Sequence, residues 1–159
     1  ARGLAGGSGG GAGPLVGRAG WATRAAGGHT VGVIPEALRG REVADLDADE
    51  LVVTQNMRER KGIMDERAEA FLALPGGIGT LEELMEVWTS GALAMHDKPV
   101  VALDPWGDFA LLRAQVDAWI DGGFVSQDSL TRVRWAATVD QAIEALTAPV
   151  LPSADSVME

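Results

Sequence analysis

Residues 70–83 read AFLALPGGIGTLEE, an apolar run followed by a glycine-rich turn and the start of a helical pattern. The run at 70–74 predicts a strand, and the apolar residues at 81, 84, 85 and 88 recur at helical spacing. A glycine turn between a strand and a helix aims free backbone N–H groups and the positive end of the helix at one point. We therefore predict an anion site whose donors come from Gly76, Gly77, Gly79 and Thr80.

Two carboxylates, Glu82 and Glu83, follow this turn, and they have two interpretations. Thr80 and Glu83 fit a capping box, with Thr80 as the N-cap and both carboxylates in the first helical turn, where the helix dipole favours negative charge. The alternative is a chemical role, because a site that only holds an anion gains nothing from negative charge beside it. The spacing leaves both interpretations open, and the segment upstream favours the second.

That upstream segment is MRERK at residues 57–61, which opens a predicted helix over residues 58–69. A strand at 50–54, this helix and the strand at 70–74 form a βαβ unit, so the two strand-to-helix turns should open on the same sheet edge. Ligands bind at such carboxyl ends in open α/β sheets. We expect the cations Arg58, Arg60 and Lys61 to lie near the glycine turn. The simpler alternative is a solvated, charged helical turn.

Together, the two segments resemble the LONELY GUY family of cytokinin riboside 5′-monophosphate phosphoribohydrolases, which once carried the label "lysine decarboxylase". Residues 75–83 meet the family pattern PGGxGTxxE in full, and residues 57–61 meet its companion MHxRK except that Arg58 stands in place of His. The resemblance continues through GGHTVGVIP and HDKPV and covers roughly residues 9–125. Ser90 and Ala92 replace the family's tryptophan and glutamine, so the base preference stays open.

The first residues of the chain carry a second glycine-rich segment, GGGAGPLVG at 9–17, which is similar to the family's loop GGGxxGLMG. The resemblance adds Gly9, Gly10 and Gly11 to the phosphate site and places a helix at 14–26. The composition alone is that of a flexible linker. Nothing before Ser8 resembles the family's first strand and its serine-bearing turn, so we expect this chain to lack them.

The remainder of the chain continues an alternating pattern, which predicts the α/β class with a Rossmann-like doubly wound parallel sheet in three α/β/α layers. The length of 159 residues and 47% apolar content predict one nucleotide-binding domain over residues 1–147 and a flexible tail over 148–159. The further elements are expected at 99–103 (strand), 106–120 (helix), 132–136 (strand) and 139–146 (helix). Core or dimer-surface packing is expected for Trp88, Trp106, Trp119 and Trp135.

The composition excludes several functional classes. A formal net charge of −10 argues against a nucleic-acid partner, because such binding depends on basic side chains that displace counterions. No stretch approaches the about 18 apolar residues of a membrane span, so no membrane partner is expected. The absence of cysteine removes disulfide and thiolate chemistry and fits a cytoplasmic protein. His29 and His96 stand far apart without nearby carboxylate patterns, so no metal site is expected.

The resemblance implies an enzyme without a cofactor, acting as a homodimer on a small-molecule nucleoside 5′-monophosphate. It would hydrolyse the N-glycosidic bond of an adenosine 5′-monophosphate, often N6-modified, and release the free base and ribose 5-phosphate. Glu83 would stabilise the oxocarbenium-like state and orient a water. Arg60 would hold the phosphate or ribose, and the matched positions Met57, Arg58 and Lys61 would also bind substrate.

Three other interpretations of the chain remain open at this point. The chain could be a nucleotide-binding or sensor module without chemistry. A true decarboxylase would need a Schiff-base lysine for pyridoxal phosphate, for which only Lys61 and Lys98 are available, and neither has a recognisable cofactor motif around it. The chain could also be an inactive fragment.

Overall fold

Strands and helices alternate along the chain, and every pairing among the described strands is parallel. The computed structural model describes residues 4–6, 14–39 and 47–149. The alternation confirms the predicted Rossmann-like α/β class. In chain order the elements are β1 (Leu4–Gly6), α1 (Pro14–Ala25), β2 (Thr30–Pro35), a 3-10 turn (Glu36–Leu38), β3 (Glu50–Thr54), α2 (Met57–Arg67), β4 (Phe71–Ala73), α3 (Ile78–Ala92), β5 (Val100–Leu103), α4 (Ala110–Asp121), α5 (Gln127–Leu130), β6 (Val133–Ala136) and α6 (Val139–Thr147).

The first compact unit, residues 1–68, is built on a sheet with strand order β1-β2-β3. Its central strand β2 reads TVGVIP, and Val33 and Ile34 are each only 4% exposed. An apolar strand that is buried at consecutive positions is typical of a parallel sheet covered on its faces. Helix α2 packs against β2 and β3. This packing decides which side chains of the MRERK segment are buried.

The second compact unit, residues 69–159, is built on a sheet with strand order β4-β5-β6. Strand β5 is buried throughout, and its side chains alternate between two apolar clusters. Val100 and Ala102 pack with residues of α3 and α4, whereas Val101 and Leu103 pack with Ala142 of α6. Helices therefore cover both faces of this sheet, which is the layering that a doubly wound fold requires.

Strand β1 is an element that the sequence pattern does not predict. Residues 1–13 contain no apolar run of strand length, yet Leu4–Gly6 pairs in parallel with β2, and Leu4 stands opposite Thr30. Backbone hydrogen bonds to a buried neighbour can hold a strand of 3 residues without a hydrophobic pattern of its own. A strand at Leu4–Gly6 is thus an addition to the sequence-based assignment, whereas the absence of the family's first strand and its serine-bearing turn stays a prediction.

The helix expected over 106–120 begins later, at Ala110. Gly107 has φ +79°, a left-handed conformation that interrupts a helix and that glycine adopts without strain. Trp106 consequently stands in a turn and is 72% exposed, so it does not pack in the core, and the other expectation for it, packing on a dimer surface, stays a prediction. The other three tryptophans in the predicted set pack in or against the apolar core as expected; they are Trp88, Trp119 and Trp135.

Several boundaries agree with expectation to within a few residues. Strand β3 has the predicted limits, and α6 ends one residue later than predicted. The short helix α5 was not expected. Strand β3 belongs to the first sheet and β4 to the second, so a common edge for their turns stays a prediction. One domain over residues 1–147 also stays a prediction, and residues 150–159 of the expected tail lie outside the described residues.

Candidate active site

The glycine turn leads directly into the N-terminus of α3. Helix α3 begins at Ile78 with Gly77 as its N-cap, and no side chain forms a capping hydrogen bond there. The first backbone bond of the helix runs from the Leu81 N–H to the Gly77 carbonyl, 3.2 Å. The N–H groups of Ile78, Gly79 and Thr80 precede that bond, as the first donors of a helix do. This end of α3 therefore has the backbone N–H groups and the positive dipole end that an anion site would use, and anion binding here stays a prediction.

The capping-box interpretation is wrong in its register. Thr80 is the third residue of α3, and the first turn contains no acidic residue. Glu82 and Glu83 lie in the second turn. The helix starts earlier than expected because the glycine backbone of residues 76–77 reaches a helical start without a side-chain cap. The dipole argument for the two carboxylates loses force with this shift, since that effect fades beyond the first turn.

Gly76 is required by a close approach within this turn. A β-carbon on Gly76 would overlap the hydroxyl oxygen of Thr80 and lie 3.0 Å from the Thr80 β-carbon. By contrast, a β-carbon on Gly77 or Gly79 would meet no heavy atom within 4 Å. Thr80 thus packs back over Gly76, which holds the turn closed at the helix start.

Glu83 is half-buried and lies one turn along α3 from the donors. Residues three and four apart share a helix face, so Glu83 lies on the face of Thr80 and Gly79. The helix rises about 1.5 Å per residue, and side chains tilt toward the N-terminus, which places the carboxylate beside the anion position rather than on it. One helix face therefore combines the predicted anion position with a negative charge one turn further along.

In the first unit, the N-terminus of α2 is satisfied by its own residues. The Asn56 side chain accepts the Glu59 N–H at 2.9 Å, and a Glu59 carboxylate oxygen accepts the Gln55 N–H at 2.7 Å. The arrangement is close to a capping box, except that the Glu59 carboxylate reaches the N–H of the residue before the N-cap. Met57 and Arg58 in the first turn are both exposed. The start of α2 is thus occupied by a carboxylate, which makes it a poorer anion site than the start of α3.

Arg60 differs sharply from its neighbours in the same segment. Its residue exposure is 1%, and its Nε donates to the Val33 carbonyl of β2 at 3.0 Å. A buried guanidinium with a backbone acceptor has a defined orientation, because the Nε bond restricts the side chain. The solvated-turn alternative is therefore wrong for Arg60, whereas Arg58 is exposed as that alternative predicts. Lys61 is half-buried on the following position of α2.

Other predicted residues have simpler settings. Ser90 donates its hydroxyl to the Glu86 carbonyl within α3 at 2.9 Å, and Ala92 is an exposed residue at the end of this helix. Gly9, Gly10 and Gly11 lie outside the described residues. Within the described part of the chain, no group of three histidine, cysteine or acidic side chains could hold a metal ion. Likewise, none of the helices that the structure describes is long and apolar enough to cross a membrane.

Sequence reasoning missed an acidic anchor at the amino edge of the first sheet. Asp49 accepts hydrogen bonds from the hydroxyl and the backbone N–H of Thr30, both at 2.8 Å. The hydrogen bond from the Thr30 hydroxyl, and after it the bond from the Thr30 N–H, hold the pKa of the Asp49 carboxyl below its ordinary value. His29 lies 3.8 Å away through its Nδ1. The partners are 19 positions apart in sequence, so no local signal joins them.

An aromatic cluster in the second unit was also not foreseen as a cluster. The Trp88 and Trp135 rings meet edge to face at 6.0 Å, and the Arg113 guanidinium lies 5.3 Å from the Trp135 centroid. With Asp117 and Leu130 they line a hollow of about 190 Å³. Because Arg113 already covers an indole and Trp88 bonds the Ser129 carbonyl at 2.7 Å, this cluster is a structural one.

The family comparison decides the affiliation of the chain. A family model described as "possible lysine decarboxylase" matches residues 16–146, well over half of the sequence. The chain belongs to this family. Curated proteins of the LONELY GUY group are similar to this chain in sequence. The resemblance inferred from the glycine turn and the MRERK segment is thereby confirmed.

Three of these relatives carry the name cytokinin riboside 5′-monophosphate phosphoribohydrolase. The Mycobacterium marinum protein is 56% identical over 124 residues, which cover 78% of this chain and 66% of the relative. The Mycobacterium tuberculosis protein is 54% identical over 127 residues, 80% of this chain and 66% of the relative. The Arabidopsis thaliana protein LOG5 is 41% identical over 111 residues, 70% of this chain and 49% of the relative. The chain therefore spans less than two thirds of the length of these LONELY GUY relatives.

The decarboxylase description of the family does not fit the second unit. Lys98 precedes β5, at the sheet edge opposite to the glycine turn, and its Nζ lies 5.6 Å from the Phe71 ring centroid. Strand β5 has 4 residues and spans about 13 Å at the usual rise. Lys98 therefore stands at the other end of β5 from the glycine turn, with its side chain against Phe71 and not among the residues of that turn. Lys61, the chain's other lysine, belongs to the first unit.

Proposed function

We propose that this chain hydrolyses the N-glycosidic bond of a nucleoside 5′-monophosphate, such as an N6-modified adenosine 5′-monophosphate. Water would replace the base at the anomeric carbon, and the products would be the free base and ribose 5-phosphate. The observation that carries the proposal is the geometry of α3. Its open N-terminus suits a phosphate, and Glu83 follows one turn later on the same face.

In this proposal the 5′-phosphate is the handle that orients the substrate. Backbone N–H groups at the start of α3 and the Thr80 hydroxyl would donate to it, and Gly76 and Gly77 allow its close approach. Binding energy gathered at the phosphate positions the reacting bond, which lowers the entropic part of the barrier. Gly9, Gly10 and Gly11 are proposed as further donors, from the sequence resemblance alone.

Glu83 would act at the sugar. Cleavage of a glycosidic bond passes through an oxocarbenium-like state, which a nearby carboxylate stabilises and whose attacking water it can orient or deprotonate. The shift of Glu83 out of the first turn supports this role, because a carboxylate placed among the first N–H donors would compete with the phosphate for them. Glu82 is exposed and has no role in this proposal.

Arg60 would hold the phosphate or ribose, with Met57, Arg58 and Lys61 as additional substrate contacts. The role proposed for Arg60 is supported by the fixed orientation of its side chain, which is set by burial and by the hydrogen bond from Nε to the Val33 carbonyl. A buried, oriented guanidinium recognises anions better than a mobile lysine would. Arg60 and Glu83 need to reach one nucleotide for this function, and their energetic coupling is therefore a test of it.

The names of the relatives also support this choice of substrate, and the homodimer and cytoplasmic location expected from the sequence belong to the same proposal. A plain adenine base and an N6-modified one are both compatible with the residues of the site. The absence of a cofactor requirement is part of the proposal as well, since water and a carboxylate supply the chemistry.

The deciding experiment measures release of free base and ribose 5-phosphate from AMP and from N6-isopentenyl-AMP. Glu83→Gln is compared with the wild type, and Glu82→Gln serves as the control on the neighbouring position. We expect E83Q to lower kcat by about 10²- to 10⁴-fold, the usual contribution of a general acid or base, with little change in nucleotide affinity. E82Q should retain wild-type turnover.

Arg60→Ala, alone and combined with E83Q, completes the test. If both residues act on one bound substrate, the double variant should lose less activity than the product of the two single losses. Equal turnover by E83Q and the wild type would refute the role of Glu83. Nucleotide binding without base release by the wild type would instead favour a binding or sensor module.

A further inference from the structure

Trp106 is the one tryptophan of the second unit that the apolar core does not hold. Its side chain belongs to the turn between β5 and α4 and is 72% exposed. Trp88 is buried, and Trp119 and Trp135 pack against the core cluster. A large indole left in water gives up the free energy that burial would supply. The position of the Trp106 turn in the fold suggests why an indole is exposed there.

The turn that carries Trp106 opens at the same sheet edge as the glycine turn. Strands β4 and β5 are paired in parallel, and Ala73 stands opposite Ala102. Gly77 and Trp106 each follow their paired residue by four positions, so both stand just beyond the carboxyl ends of adjacent strands. Adjacent strands lie about 4.8 Å apart. The carboxyl edge of neighbouring parallel strands is where open α/β sheets bind ligands.

This turn is held in place on both sides. The Asp104 N–H donates to the Ala136 carbonyl of β6 at 2.7 Å, and an Asp104 carboxylate oxygen accepts the Phe109 N–H at 3.3 Å. Phe109 is 2% exposed and anchors the far end of the turn in the core. Gly107 provides the left-handed residue that the turn needs. The indole is thus exposed on an anchored turn, and little ordering entropy would be lost when a ligand packs against it.

We propose that Trp106 stacks on the base of the nucleotide whose phosphate binds at the start of α3. The inference rests on the proposed function and deepens it, because it assigns the base contact to a residue outside both sequence motifs. An indole offers a broad π surface to any nucleobase, and such stacking tolerates different bases. Trp106 then contributes to affinity for the base, while the glycine turn contributes to affinity for the phosphate.

The experiment separates these two contributions. Wild type, Trp106→Ala and Trp106→Phe are titrated with AMP and with ribose 5-phosphate, which lacks the base, by isothermal calorimetry. Trp21→Ala is the matched control, since Trp21 lies on α1 in the first unit and is 68% exposed. Base release and sedimentation are measured on the same samples. These readouts distinguish stacking from turnover and from assembly.

We expect W106A to weaken AMP binding by roughly 5- to 150-fold, the usual range for loss of one aromatic stacking partner. W106F should recover most of that loss, and ribose 5-phosphate affinity should stay unchanged in all variants. W21A should match the wild type. If the wild type binds AMP and W106A weakens it, but no base is released, stacking stands and the hydrolase proposal fails.

Three results would overturn the proposal. Unchanged AMP affinity in W106A would show that the indole does not contact the base. Equal weakening for AMP and ribose 5-phosphate would show that Trp106 only supports the turn. A change in sedimentation of W106A, without ligand, would assign the indole to a subunit interface. Failure of the wild type to bind AMP would remove this inference and the phosphate site together.

Discussion

Replacement of Gly76 by alanine tests the geometry of the glycine turn most directly. A β-carbon at Gly76 would overlap the Thr80 hydroxyl and lie 3.0 Å from the Thr80 β-carbon and 3.5 Å from its methyl group. Rotation of the hydroxyl alone cannot relieve this, because the β-carbon itself is also too close and threonine has few χ1 states in a helix. The turn must therefore move, and overpacking of this kind costs about 1–3 kcal/mol.

Gly79→Ala is the matched control. Gly79 lies one position before Thr80 inside α3, and a β-carbon there meets nothing within 4 Å. Alanine in place of a helical glycine is usually stabilising by about 0.5–1 kcal/mol. The two substitutions add the same methyl group within one short segment, yet they should change the free energy of unfolding in opposite directions.

The assay is urea unfolding followed by tryptophan fluorescence, with the free energy of unfolding taken from the linear extrapolation. The double variant Gly76→Ala/Thr80→Ala removes the Thr80 hydroxyl and methyl groups and should recover part of the loss, with a coupling of about 0.5–3 kcal/mol. A G76A protein as stable as the wild type, or a double variant whose losses simply add, would refute the close packing of Thr80 over Gly76.

Two further predictions concern packing and pH. Phe109→Ala should lower the free energy of unfolding by about 3–5 kcal/mol, because Phe109 is only 2% exposed. Phe124→Ala is the control: Phe124 is 84% exposed, so its replacement should change the free energy of unfolding by no more than about 0.5 kcal/mol. Equal unfolding midpoints for the two variants would contradict this prediction. Asp49→Asn should be less stable than the wild type at pH 7, because the folded pKa of Asp49 is lowered. That difference should persist down to about pH 4 and shrink as the pH falls through the lowered folded pKa, and a gap in urea midpoints that widens on acidification would contradict the anchor.

Much of the fold follows from local patterns. Strand β3 and the buried strand β5 are short apolar runs between turn signals, and helices α2, α3, α4 and α6 follow apolar periodicity, so the existence of these elements could be predicted from neighbouring residues alone. Strand β1 could not, because its three residues are held by backbone bonds to β2 rather than by a side-chain pattern. The turn at Gly107 could not be predicted either, because the helical pattern of α4 gives no sign that the helix begins only at Ala110 and not at residue 106.

The site shows the same division. The glycine turn that leads into α3 could be predicted from Gly76, Gly77 and Thr80, because glycine freedom and helix starts are local properties. The register of α3 was misread, since Thr80 is an acceptable N-cap by type and only the path of the turn places the cap at Gly77. Arg58 and Arg60 are indistinguishable by composition, and only the docking of α2 on β2 exposes the first and buries the second.

The sequence alone determined the class of the fold, the family and the motif that opens α3, because each depends on residue types at short, fixed spacing. Tertiary structure alone decided which charges are buried, which tryptophan faces solvent and which carboxylate anchors Thr30. These depend on contacts between residues far apart along the chain, such as Arg60 with Val33 across 27 positions and Asp49 with Thr30 across 19. Such contacts exist only once helices and strands have packed, and packing is the step that local periodicity does not encode.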